Sequence, residues 1–128
     1  VGKNVIIDGA HNPDGIAALK KSLLALDKRI ILVMAMMSDK NYAECIRDIS
    51  EIAECTVAAE VNTERSLKAA EIAAVLEKSG AKYKIIPDIR SAVSEAVRLA
   101  GVDGIVCVCG SLYLAGDTEK IFSKSTCK

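Results

Sequence analysis

Val5-Ile6-Ile7-Asp8-Gly9-Ala10-His11-Asn12-Pro13 runs from a β-branched triplet through a polar loop into a stretch where Ile16, Leu19, Leu23 and Leu26 recur at steps of three and four. The triplet reads as a strand, and the recurrence as a helix that buries one face. Pro13 suits the first helical position, because its missing N–H would be unpaired there anyway. Asn12 then falls at the N-cap, where its side chain can accept from amides of the first turn. Gly9 permits a tight turn or the close approach of a ligand.

The same strand–loop–helix unit recurs along the chain. Ile30 to Met34, Thr56 to Ala59, Tyr83 to Ile86 and Ile105 to Cys109 are short apolar runs, the pattern of parallel strands covered on both faces. Between them lie helical stripes: Tyr42, Cys45, Ile46, Ile49 and Ile52; Ala69, Ile72, Val75 and Leu76; Ile89, Val93, Ala96, Val97 and Ala100. A last helix is expected from Ser111 or Leu112 toward Phe122, with Ser123 to Lys128 a polar, frayed end. Gly80, Pro87 and Gly101 fall at the expected element ends. Alternation of this kind predicts a three-layer α/β sandwich: a mostly parallel sheet with helices on both faces, joined by right-handed crossovers.

Composition narrows the classes. The 128 residues suffice for one domain spanning 1–128, and 51% of them are hydrophobic with few aromatics, so Ile, Val, Leu and Ala must build the core. Seventeen basic and seventeen acidic residues cancel, which leaves no global field to attract nucleic acid. The five cysteines, Cys45, Cys55, Cys107, Cys109 and Cys127, lack paired-ligand spacing, and His11 is the only histidine, so no metal site is expected. Cys107 and Cys109 sit two apart and should face the same side of their strand as small buried thiols of a reducing cytoplasm. No apolar run approaches the roughly 20 residues of a membrane span, and no signal peptide is visible. Beginning at Val1 directly before a strand, the chain reads as a piece of something longer.

In an open α/β sheet, ligands bind beyond the carboxyl ends of the strands. That rule selects three segments: Asp8 to Pro13, Ser38-Asp39-Lys40-Asn41, and Gly110-Ser111-Leu112-Tyr113. Asp8 can grip ribose hydroxyls, and His11 can donate to a carboxylate or phosphate. Alternatively, Asp8 and His11 hydrogen-bond their own loop, Asp39 and Ser111 serve as N-caps, and Lys40 is solvated. The chain has no G-x-x-x-x-G-K-[ST], no G-x-G-x-x-G after its first strand and no G-x-S-x-G elbow, so any site here is half a site.

These loops carry a resemblance. Asp8-Gly9-Ala10-His11-Asn12-Pro13 resembles the signature opening the C-terminal domain of folylpolyglutamate and dihydrofolate synthases, members of the Mur ligase superfamily. Ser38-Asp39-Lys40 resembles that family's Asp-Lys element, and Val108-Cys109-Gly110-Ser111-Leu112-Tyr113-Leu114 its closing Gly-Ser-Leu-Tyr motif. Glu64-Arg65-Ser66-Leu67 sits where the family carries an Arg-Ala-Leu-like helix start. The motifs occur in order across nearly the whole chain. Two departures stand out: Ala35-Met36-Met37 replaces a common Phe-Gly before the Asp-Lys element, and an ATP-binding arginine upstream of the first motif falls outside the chain.

The resemblance implies a Rossmann-like C-terminal domain, predicted inactive alone. Its partner in cis is an absent N-terminal ATPase domain that holds most of ATP and Mg2+. In the parent ligase ATP phosphorylates a folate carboxylate, and the amine of L-glutamate attacks the acyl phosphate. Carried over by position, Asp8 and Asn12 contact ATP, while His11, Lys40 and Ser111 hold the glutamate. A cytoplasmic monomer is the family expectation. A second reading is another Mur-type amino acid ligase. A third, a receiver-like binding module, would need an acidic neighbour for Asp8 that the loop lacks.

Overall fold

The computed structural model describes residues 4–38 and 41–110. Strands β1 (Val5–Ile7), β2 (Arg29–Met34), β3 (Cys55–Ala58), β4 (Tyr83–Ile85) and β5 (Gly104–Cys109) alternate with helices α1 (Pro13–Leu24), α2 (Tyr42–Ser50), α3 (Ala69–Lys78) and α4 (Ile89–Ala100). All pairings in the sheet are parallel, in the order β1-β5-β2-β3-β4. The expected helix beyond Ser111, like Cys127, lies outside the described residues.

Strand alternation decides the layers. Ile30, Leu32 and Met34 of β2 point to the face where Ile16, Leu19 and Leu23 of α1, Cys45, Ile46 and Ile49 of α2, and Ile72 and Leu76 of α3 pack. Ile31, Val33 and Ala35 point to the opposite face, against Ala92, Val93, Ala96 and Ala100 of α4. Both sides of β2 are therefore covered, as its unbroken apolar run requires. Cys107 and Cys109 share one face with Cys45, and Cys55 lies on the other; all four are buried, and none is in a disulfide. Burial pushes the Cys55 thiol up, and a hydrogen bond with Cys107 followed by full burial does so more strongly for Cys109, which stays neutral and non-nucleophilic.

The periodic stripes overshoot at their margins. Helix α1 stops at Leu24, the chain tightens through Leu26 N–H to the Leu23 carbonyl, and Asp27 takes φ 52°, which leaves Leu26 42% exposed. Val97 lies at the edge of the α4 stripe and is 45% exposed. In β4 Ile85 is also exposed, because an edge strand has a neighbour on one side only.

The amino ends of the strands are tied by charge. The Arg29 guanidinium donates to Glu54 and Asp103 and to the carbonyls of Leu99 and Ala100, gathering the entries to β2, β3 and β5. Glu54, then Asp103, hold that guanidinium above its ordinary pKa. A second cluster joins β4 to α4: Arg98, then Lys84, pull the Glu95 carboxyl from an ordinary 4.5 to about 2. A lowered carboxyl pKa stabilises the fold above its unfolded value, and that contribution is lost as pH falls toward the folded one. Glu95→Gln should therefore flatten the acid limb of the stability curve between pH 4.5 and about 2, read as urea midpoints at stepped pH. An unchanged limb would mean that the cluster is not formed in solution.

Candidate active-site rim

In a parallel sheet every carboxyl end lies on one edge, and the order β1-β5-β2 sets three of those ends side by side. The Asp8 N–H donates to the Val108 carbonyl, carrying the β1–β5 ladder one residue past the strand. Asp8 Oδ1 then accepts from Ala10 N–H at 2.8 Å, a local turn that lifts the loop off the sheet. Asn12 caps α1 as expected: its Oδ1 accepts from Gly15 N–H at 2.8 Å, and its own carbonyl accepts from Ile16 N–H.

His11 is exposed, with Nδ1 2.9 Å from the Gly9 carbonyl. A carbonyl only accepts, so this geometry assigns the hydrogen to Nδ1 and leaves Nε2 pointing a lone pair elsewhere. The neutral ring thus offers an acceptor, and the imidazolium a donor. Both Asp8 and His11 do bond their own loop, and among the described residues each spends one polar atom on it, Oδ1 and Nδ1 respectively. The local bonds organise the loop and leave its chemistry available.

Gly110 joins the loops. Its N–H donates to the Ala10 carbonyl at 2.8 Å, which ties the end of β5 to the loop after β1. It adopts φ 108°, and a Cβ there would sit 2.4 Å from the Ala35 carbonyl oxygen and 2.7 Å from Met36 Sδ. The end of β5 can lie this close to the end of β2 only because position 110 has no side chain. Ala35 and Met36 are buried there.

The loop after β2 is in turn joined to the loop after β3. Ser38 N–H donates to the Arg65 carbonyl at 2.7 Å, and Leu67 N–H to the Met36 carbonyl at 2.8 Å, around an antiparallel bridge between Met37 and Ser66. Glu64 to Leu67 therefore form a turn and this bridge, and the helix starts later, at Ala69. The helical stripe read from Ala69 is where α3 begins, and the residues before it make a loop-to-loop contact. Lys40 and Ser111 lie outside the described residues; Ser38 and Gly110 are the nearest described positions preceding them.

Elsewhere, a concavity of about 700 Å3 between α2 and α3 includes Arg47, Glu51, Lys78 and Lys82 in its wall but none of the rim-loop residues. Arg47 and Lys78 stand in the last turns of their helices, where a cation offsets the terminal carbonyls. Among the described residues no group of three or more His, Cys, Asp or Glu side chains could hold a metal. No helix among them is long and apolar enough to cross a membrane.

A parallel α/β layer with loops stitched along its carboxyl edge, one of them bearing the half-buried Asp8 carboxylate and the exposed His11 imidazole, is a domain of the open-sheet class, in which ligands bind beyond the strand ends. The chain belongs to the Mur ligase, glutamate ligase domain family, whose profile matches residues 1–112. It is 28% identical over 123 residues, 94% of its length, to a probable bifunctional folylpolyglutamate synthase/dihydropteroate synthase of Halobacterium salinarum. To the dihydrofolate synthase/folylpolyglutamate synthase of Bacillus subtilis it is 29% identical over 118 residues, 91% of its length. It spans only 15% and 27% of those proteins. The fold superposes on E. coli FolC, solved in complex with DHPP and ADP, with a TM-score of 0.87 and 25% identity, covering 98% of this chain and 30% of that one.

Proposed function

We propose that this chain is the glutamate-presenting domain of a folylpolyglutamate synthase, which uses ATP to add L-glutamate to folate through an acyl phosphate. An ATPase domain in cis would bind most of the nucleotide and the magnesium, and the whole would act as a cytoplasmic monomer. The observation that carries the reading is the rim: Asp8 and His11 stand on the loop beyond β1, next in the sheet to the ends of β5 and β2. The relatives support the substrate class, and a nucleotide-bound neighbour supports the use of ATP.

In this reading Asp8 and Asn12 face the nucleotide, Asp8 through the carboxylate oxygen it does not spend on Ala10. Lys40 and Ser111 hold the carboxylates of glutamate, a dianion suited to a lysine and a serine at adjoining strand ends. With its hydrogen fixed on Nδ1, neutral His11 accepts from the incoming amine at Nε2 and orients its lone pair toward the acyl carbon. Holding that amine at attack distance can contribute roughly 7–11 kcal/mol in ideal cases. Exclusion of water by closure against the partner domain would protect the acyl phosphate from hydrolysis.

The test is ADP release by the full-length chain, supplied with a reduced folate, ATP and one amino acid at a time. Glutamate-dependent turnover is expected, with none from residues 1–128 alone. Turnover with a different amino acid would move the protein to another Mur-type ligase. ATP hydrolysis by the 128-residue chain alone would overturn the half-site reading.

A further inference from the structure

Most of the described connections between elements are short, but that between β3 and α3 runs through residues 59–68. Loops of this length after a strand in α/β units usually exceed what the backbone alone can hold in one conformation. Here one side chain closes it. Glu60 Oε1 accepts from Ala69 N–H, nine residues on, at 2.8 Å, while the Glu60 N–H donates to the Pro87 carbonyl at 3.0 Å. Inside the closed loop, the Thr63 carbonyl accepts from both the N–H and the Oγ of Ser66. Val61 and Leu67 anchor its two ends in the core. The exit of this loop is the segment bridged to Met36, Met37 and Ser38.

We infer that Glu60 is a positioning residue: it clasps the loop after β3 and, through the bridge to Met36–Ser38, sets the beginning of the connection that follows β2. The inference rests on the ligase reading above for its effect on glutamate, but not for the clasp itself. A simpler role exists for Glu60, that of capping α3. Glu71 separates the two, because it accepts from Lys68 N–H at the same helix end without spanning the loop.

The experiment compares Glu60→Ala, Glu60→Gln and Glu71→Ala in the full-length chain, by hydrogen exchange at Ser38 and Leu67 and by KM for glutamate and for ATP. E60A should speed exchange at both amides and raise the glutamate KM about ten-fold, with the ATP KM within about two-fold. E60Q keeps the carbonyl acceptor and should restore both, whereas E71A should change neither. If E60A fails to fold, Glu60→Asp, one methylene short of Ala69, takes its place. The clasp is overturned if E71A reproduces the exchange seen with E60A, or if E60A leaves exchange unchanged. Faster exchange with an unaltered glutamate KM overturns the link to substrate. A wild-type chain without glutamate-dependent turnover sinks the ligase reading instead, and the exchange arm still decides the clasp.

Discussion

Gly110→Ala should destabilise the domain by roughly 3–5 kcal/mol, the largest effect expected of any single methyl group added to it. Two costs add. An L-residue at φ 108° carries backbone strain that glycine does not, and the new Cβ would lie 2.4 Å from a backbone oxygen, that of Ala35. The contact with the carbonyl cannot be relieved by rotating a side chain, because the obstacle is backbone at the end of β2, the central strand of the sheet. Relief requires β5 and β2 to part at their carboxyl ends, which would also stretch the Gly110 to Ala10 hydrogen bond. Urea unfolding of the 128-residue chain measures the loss. A change below about 1 kcal/mol would show that the two strand ends are not in contact as described.

Asp8→Ala should lower kcat/KM of the full-length chain by about a hundred-fold, because it removes two things at once. The first is the acceptor for Ala10 N–H, whose residue also receives the bond from Gly110. The second is the remaining carboxylate oxygen, proposed to meet the nucleotide. Asp8→Asn divides the two: its amide oxygen still accepts from Ala10, so the fold should keep its stability, while the lost charge and acceptor should raise the KM for ATP about ten-fold. If D8N matches the wild type in ATP KM while D8A is impaired, Asp8 organises the loop and does nothing else.

Much of this architecture was legible in the order of residues because burial on two faces leaves a simple trace. The β2 run from Ile30 to Met34 has no polar interruption, and no solvated strand could carry it. Where a face is only partly covered the trace weakens, which is why Leu26 and Val97 were included in stripes they do not join. The sheet order was not legible at all, since periodicity says which face a residue buries but not which strand lies beside it. Asp8 and His11 stand out in the sequence through their place at a strand end, whereas their local bonds to Ala10 and Gly9 depend on a loop geometry that the residue order does not carry. Glu60 gave no signal: a carboxylate that accepts from an amide nine residues on does so because the loop between returns, and only coordinates record that return.

The place of β5 between β1 and β2 has a consequence for how the chain is made. Val5 pairs with Val106, so β1 must wait for the last described strand before it has any neighbour in the sheet. Early segments emerge as β2, β3 and β4 with their helices, a partial sheet whose inner edge stays bare until residue 104 arrives. Closure of so long a loop costs entropy that nothing local offsets, and folding of this kind is slow and comes late. A ribosome stalled before Gly104 would hold a half-sheet with one edge bare, a state prone to association.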